Sequence, residues 1–300
     1  MTVAYAHPIE RPTPRRSGLL RGRWRERSVL PGFPLALGIT LAWLGAIVVI
    51  PLTALALRPW ENGLGGVWAT LTNPRVLASL RLSFGLSALA ALLNLPLGLI
   101  IAWTLERYAF PGRRVLDALV DLPFALPTAV AGIALTALYA PNGPLGVLAA
   151  KVGLKVAYTP LGIFVALVFI GLPFVVRQVQ PVLAEFDHEV EEAAATLGAT
   201  SAQRFWQVML PALAPALVSG AGLAFARAVG EYGSVIFIAG NMPMKSEIAP
   251  LLIVTKLEEF DYAGAAAIGL AMVVISLAAL ALVNALQSLM AARSRPSAQA

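Results

Sequence analysis

Residues 82–105 read LSFGLSALAALLNLPLGLIIAWTL, twenty-four positions without one Asp, Glu, Lys or Arg. As a helix rising 1.5 Å per residue, the stretch is about 36 Å long, enough to cross roughly 30 Å of hydrocarbon. Five further charge-free runs follow the same reading: residues 33–57, 122–150, 156–176, 205–226 and 262–292. Across the 300 residues, 58% are apolar and 13% charged, against roughly 45–50% and 25% in an ordinary soluble domain. A soluble core is too small to hide such runs, and in lipid each backbone polar group must find its partner within its own helix. The expected fold is an all-α polytopic membrane protein with about six transmembrane helices.

The same runs place the boundaries. The third and sixth exceed a single crossing, and Pro141-Asn142-Gly143-Pro144 is a turn signal that ends the third helix near Tyr139. Ala54-Leu55-Ala56 has the form of a cleavage site, but the run before it is far longer than the 7–15 residues of a signal-peptide core, so it reads as a retained span. Seven arginines fall between Arg11 and Arg27, ahead of the first run. With the N-terminus inside, the cytoplasmic side holds fourteen Lys and Arg residues and the outer side seven. Both termini are then cytoplasmic. The net charge of +6 reflects this membrane flank rather than nucleic-acid binding. The expected layout is an Arg-rich arm over 1–30, a first transmembrane helix over 31–58, and a core over 79–290.

Several chemistries are excluded. No cysteine occurs, and His7 and His188 are the only histidines, which removes disulfides, thiol catalysis and a histidine-based metal centre. No G-x-x-x-x-G-K-[ST] phosphate loop, H-E-x-x-H or G-x-S-x-G is present. The chain therefore reads as non-catalytic and without a cofactor of its own.

The orientation makes Arg177 to Pro211 the longest internal cytoplasmic segment. Within it, Asp187 to Gly198 reads as a short helix with acidic first turns, an apolar stripe of Val190, Ala193, Ala194 and Leu197, and Gly198 as a left-handed stop. Thr200-Ser201-Ala202-Gln203 has the form of a capping box that opens a second helix, and Pro211 closes the loop before the fifth span. The acidic cluster has the wrong sign for an anionic inner leaflet. Two readings remain, a surface for a soluble partner and an amphipathic pair resting on its own bundle.

The spacing of Glu192-Ala193-Ala194, Gly198, Val208 and Leu210-Pro211 resembles the EAA loop of ABC-importer permeases, with Val208 where that family has isoleucine. Arg227-Ala228-Val229-Gly230-Glu231 and the continuation Asn241-Met242-Pro243-Met244 are similar to the T-type subunits of bacterial sulfate/thiosulfate permeases. The resemblance runs from about Leu30 to Leu289. It implies a type I ABC importer permease fold, with residues 185–211 as a coupling loop seated on a separate ATPase. Glu192, Ala193, Ala194, Leu197, Gly198, Val208, Leu210 and Pro211 would form that contact. ATP and Mg²⁺ would belong to an ATP-binding ABC subunit dimer. The other implied partners are a second, W-type permease subunit and a periplasmic or lipid-anchored sulfate-binding protein in the bacterial inner membrane. Molybdate or tungstate would be the alternative cargo, and an ion-coupled secondary carrier is the rival from a different class.

Arg227 and Glu231 sit four apart in an otherwise apolar stretch, hence on one helix face. If the helix enters near Ala212, Arg227 lies about 22 Å along it. Two readings stand side by side, an arginine fork that meets a passing oxyanion and an ion pair that fixes helix packing. Asn94, beside Pro96 in the second span, is either a hydrogen-bonded packing site or a lining residue of the pathway. Asp117 and Asp121 are expected to pair locally with Arg113 and Arg114. Residues 240–261 form the longest outer loop, expected to fold back towards the bundle. Lys245, Glu247, Lys256, Glu258, Glu259 and Asp261 are its candidate contacts for a binding protein.

Overall fold

The computed structural model describes residues 33–293, and the predicted arm over 1–30 lies outside them. The chain divides into two units, residues 1–51 and 52–300. Among its described residues, the first unit holds α1 (Phe33–Leu44) and a π turn (Gly45–Val49), with no buried side chain in either. An apolar helix that buries nothing within its own chain has the surface of a lipid-facing span.

Beyond α2 (Ile50–Leu57) the chain stays in helical geometry. It continues through a 3₁₀ turn (Arg58–Asn62) into α3 (Gly63–Thr72). Asn73 then accepts from the Arg75 amide and starts α4 (Pro74–Arg107), with Pro74 at its first position. This helix is longer at both ends than the charge-free run, because Arg75, Arg81, Glu106 and Arg107 extend it beyond the apolar segment. Next come α5 (Arg113–Val120), α6 (Leu122–Ala125), α7 (Thr128–Tyr139) and α8 (Pro144–Lys151). The turn at Pro141–Pro144 does end a helix at Tyr139, and α7 and α8 meet at a bend of 47°.

The remaining elements are α9 (Pro160–Ala184), α10 (His188–Thr196), α11 (Ser201–Gln203), a π turn (Arg204–Met209), α12 (Leu210–Val229), α13 (Val235–Ile238), α14 (Ala249–Glu258) and α15 (Tyr262–Arg293). Among the described residues, five helical runs are long and apolar enough to cross a membrane, or six if α7 and α8 count as one broken span. The fifth span begins earlier than its charge-free run. Helix is continuous from Ser201 to Val229, so Pro211 lies inside it rather than closing a loop. Proline lacks an N–H and crowds the carbonyl four residues back. The π turn, in which the Leu210 amide reaches the Phe205 carbonyl, widens the helix just ahead of that position.

In the second unit the core is a bundle of α4, α9 and α12, which pack against one another. Val175 of α9 is fully buried at its centre. A Cβ on Gly98 of α4 would stand 2.6 Å from Val175 Cγ1, and one on Gly220 of α12 would stand 2.8 Å from Val175 Cα. Small residues thus let three backbones close on one valine, which is how helices associate when surrounding lipid supplies no hydrophobic drive. The loop over 240–261 folds back towards the bundle as expected. Ala249, Leu251 and Leu252 of α14 are buried, and Ser83 Oγ of α4 accepts from the Ala249 amide at 2.8 Å.

The packing can be tested at two glycines of similar helical setting. Gly220→Leu drives side-chain atoms into the α9 backbone and should destabilise the folded protein in detergent by about 1–3 kcal/mol. Gly85→Ala meets nothing within 4 Å and should be neutral or slightly stabilising. Thermal unfolding of the two purified variants, followed by tryptophan fluorescence, checks the contrast.

Candidate functional site

The segment joining α9 to α12 is an elbow with two capped arms. Asp187 accepts from the Glu189 amide at 2.9 Å and starts α10, where Glu189 and Glu191 stand in the first turn. At the far end the Gly198 amide donates to the Ala195 carbonyl at 2.9 Å and the Ala199 amide to the Ala194 carbonyl at 3.0 Å. This double bond pattern needs a left-handed residue, and Gly198 has φ +86°. Thr200 and Gln203 then exchange backbone bonds in the predicted capping box. Both arms are fixed before the chain enters α12.

The predicted coupling residues divide by exposure. Glu192, Ala193, Leu197, Gly198 and Pro211 are exposed, while Ala194, Val208 and Leu210 are half-buried. Leu197 is 88% exposed, and Val190 and Trp206 also face outward. Behind them, Leu210 packs against the buried cluster that includes Leu105, Leu183, Met209 and Leu213. The elbow therefore shows an outer face of mixed apolar and acidic side chains and roots its inner face in the bundle.

Three arginine sites escaped the sequence reading because each pairs residues far apart in the chain. Arg107, at the last turn of α4, donates to Glu191 Oε1 at 2.5 Å and to His188 Nδ1 at 3.2 Å. Arg177 does not end its helix but continues it, and it takes the partners expected for Arg113 and Arg114. It grips Asp121 with Nε and Nη2 (2.8 and 2.5 Å) and donates to Asp117 Oδ1, the Asp117 carbonyl and Gln180 Oε1 (2.6, 2.9 and 2.5 Å). Five contacts employ the five N–H groups of a guanidinium. The Arg177 hydrogen bond holds the Asp117 carboxyl below the usual carboxylate range. Arg113 instead reaches Glu106 at 3.3 Å.

Arg75 forms the third site, at the opposite end of α4. It holds Glu247 in a bidentate pair at 2.7 and 2.8 Å, and Glu247 is buried. Glu247 is thus an anchor of the outer loop, not a free surface contact as the sequence reading supposed. Lys256 is likewise engaged, with Glu259 at 3.0 Å and Asp261 at 3.2 Å, and the Glu259 bond, helped by Asp261, raises its ammonium pKa. Among the described residues, Lys245 and Glu258 form no such pair.

Arg227 stands in the last turn of α12, and Glu231 lies just beyond the helix end. Arg227 Nη1 donates to Glu231 Oε2 at 2.5 Å, and Oε1 accepts from both the amide and the hydroxyl of Ser234 at 2.9 Å. The Glu231 side chain is only 2% exposed and the Arg227 side chain 35%. The carboxylate is fully engaged in protein, and the arginine keeps one side open. Ser83, Ser87 and Glu231 line a small buried cavity together, and Ser87 Oγ has no protein partner there. Asn94 sits elsewhere. It is enclosed between α4 and α9, with Nδ2 donating to the Val168 carbonyl at 3.2 Å and packed where a Gly171 Cβ would be. The structure brings Arg227 and Glu231 together and places Asn94 in a helix contact.

Among the described residues there is no cluster of His, Cys, Asp and Glu suited to a metal ion. Known proteins give this architecture a context. The model of a family described as "binding-protein-dependent transport system inner membrane component" matches residues 94–296. The sulfate transport system permease protein CysT of Escherichia coli strain K12 is 50% identical over 263 residues, covering 88% of this chain and 95% of its own. Its namesake in Synechococcus elongatus is 48% identical over 249 residues, covering 83% and 90%. Among solved structures, a bacterial ABC transporter involved in the import of the acidic polysaccharide alginate aligns with a TM-score of 0.71 at 16% identity, over 85% of this chain and 94% of that one. The MetNI methionine ABC transporter aligns with a TM-score of 0.54 at 17% identity, over 72% and 94%. These two speak to the fold, which is the all-α permease fold of type I ABC importers. With family model, relatives and fold in agreement, the chain belongs to the binding-protein-dependent inner-membrane components of ABC transporters, the multi-pass permeases of that system.

Proposed function

We propose that this chain is the T-type permease subunit of an ATP-driven importer that carries sulfate or thiosulfate across the inner membrane. The elbow over 185–211 faces the cytoplasm with both termini. Glu192, Ala193, Ala194, Leu197 and Gly198 of its first arm meet a separate ATP-binding subunit, which uses the ATP and Mg²⁺. Val208, Leu210 and Pro211 join the second arm to the span. A W-type permease completes the pore, and a periplasmic or lipid-anchored binding protein delivers the anion. The observation that carries the reading is Leu197. A leucine 88% exposed on a rigidly capped helix, among acidic residues unsuited to lipid, calls for a protein surface to cover it.

The anion's path is proposed to pass Arg227. Glu231 and Ser234 orient the guanidinium, and the part of its fork not committed to Glu231 offers donors to a tetrahedral oxyanion. Because Glu231 cancels part of the charge, contact is weak, which suits a carrier that must release its cargo.

Proteoliposomes holding all partner subunits test the whole reading. Sulfate uptake should require ATP inside and the binding protein outside, and uptake driven by a proton or sodium gradient alone would overturn it. Gly198→Pro cannot take φ +86° and loses the amide that caps α10. It should leave membrane insertion intact and lower uptake by about tenfold or more, measured as sulfate imported per ATP hydrolysed. Arg227→Gln should slow uptake by about tenfold, the scale of one charge-assisted hydrogen bond. Full recovery in Arg227→Gln/Glu231→Gln would reduce the pair to packing.

A further inference from the structure

α10 must hold the bundle by something other than its outward face. Among the described residues, every hydrogen bond and ion pair that joins α10 to a span outside the elbow ends on Arg107. An arginine can only donate, so His188 Nδ1 is the acceptor in this contact. The Arg107 and Glu191 side chains are 13% and 20% exposed, so the pair is largely shielded from water. Such a pair is directional in a way that exposed ion pairs are not.

The arginine is also braced. Its guanidinium lies 5.4 Å from the Trp103 ring and 5.9 Å from the Phe186 ring. Trp103 stands one turn earlier on the same face of α4 and meets Phe205 edge to face at 5.7 Å. Phe186 precedes the first arm of the elbow, and Phe205 lies in the second. Two side chains of α4 therefore reach into the angle of the elbow and touch both arms.

We propose that Arg107, braced by Trp103, is the positioning residue through which displacement of the elbow is passed to α4. α12 needs no such link, since helix is continuous from the second arm into the span. α4 is not continuous with the elbow, and besides its packing on α9 and α12 it is Arg107 that ties it to α10. α9 lies between the two, with Val175 against Gly98 and Gly220, so all three central helices move as one body. The proposal rests on the reading of the elbow as the ATPase contact.

The test uses the complete importer in proteoliposomes. Because the chain has no cysteine, a single Ala195→Cys, exposed on α10 and outside the proposed contact residues, reports docking by cross-linking to the ATPase subunit. Arg107→Ala should keep the ATPase subunit in the purified complex and keep hydrolysis going, while sulfate imported per ATP falls about tenfold, within the usual range of coupling between sites. Arg107→Lys, which keeps the charge without the fork, should fall between the two. Arg107→Glu and Glu191→Arg should each uncouple, and the double exchange should recover a substantial part of what either loses. Such recovery is not expected of a residue that only stabilises the fold. Sulfate per ATP within twofold of wild type for Arg107→Ala, or a double exchange no better than its parents, would overturn the link. Loss of the ATPase subunit from Arg107→Ala complexes would overturn it too, since the residue would then build the docking surface. Absence of the Ala195→Cys cross-link in an otherwise unaltered, active complex would sink the docking reading itself.

Discussion

Three backbones converge on Val175, and the rest of the bundle is organised around that approach. Inside a bilayer, apolar side chains gain little by leaving lipid for protein, so close packing and hydrogen bonding must hold the helices together. Gly98 and Gly220 remove the side chains that would keep α4 and α12 away from α9. Asn94, packed into the place that a side chain at Gly171 would occupy, adds one hydrogen bond to the same interface. A centre built this way leaves little room for independent sliding of its helices. It favours motion of the three as a unit, which is what a rocking carrier requires.

Charges are then sorted to the two ends. At one end Arg107 and Arg177 tie α4 and α9 to α10 and α5. At the other, Arg75 fixes the outer loop to α4. All three use arginine, whose planar fork satisfies several acceptors at once, where lysine would provide a point charge. A buried Glu247 without Arg75 would be a costly isolated charge, and the same holds for Glu231 without Arg227. These pairs specify which loop meets which helix more than they add to stability.

What was legible in the sequence was local. Charge-free runs found the spans, Pro141–Pro144 found the break after Tyr139, and Gly198 and Thr200 found the two caps, because each signal lies within a few residues of its effect. The helix ends were less legible. A charge-free run marks hydrocarbon, not helix, so the reading stopped at residue 176 while α9 runs on to Ala184. Arg177 can continue that helix because Asp117 and Asp121, at least 56 residues away, neutralise it. The same blindness applied to Glu247, which lies 172 residues from Arg75, and to the acidic residue that meets Arg107. Nearby opposite charges, such as Arg113 beside Asp117, were the natural guess, yet Arg113 acts on Asp117 only through its charge, while the hydrogen bonds come from Arg177 and Gln180. The fold brings distant charges closer than sequence neighbours.

The continuity of helix through Pro211 alters what the elbow can do. A loop that ended at a proline hinge would absorb a push from below by bending. Here the second arm is the head of α12 itself, widened by a π turn but unbroken, and its far end carries Arg227 and the turn that holds Glu231. On the proposed reading, force applied near Leu197 crosses the capped turn at Gly198 and then runs along one continuous helix to the charged pair. The π turn stands just ahead of Pro211, where a regular helix would crowd a carbonyl one turn back, and Pro215 lies one turn further along the same helix.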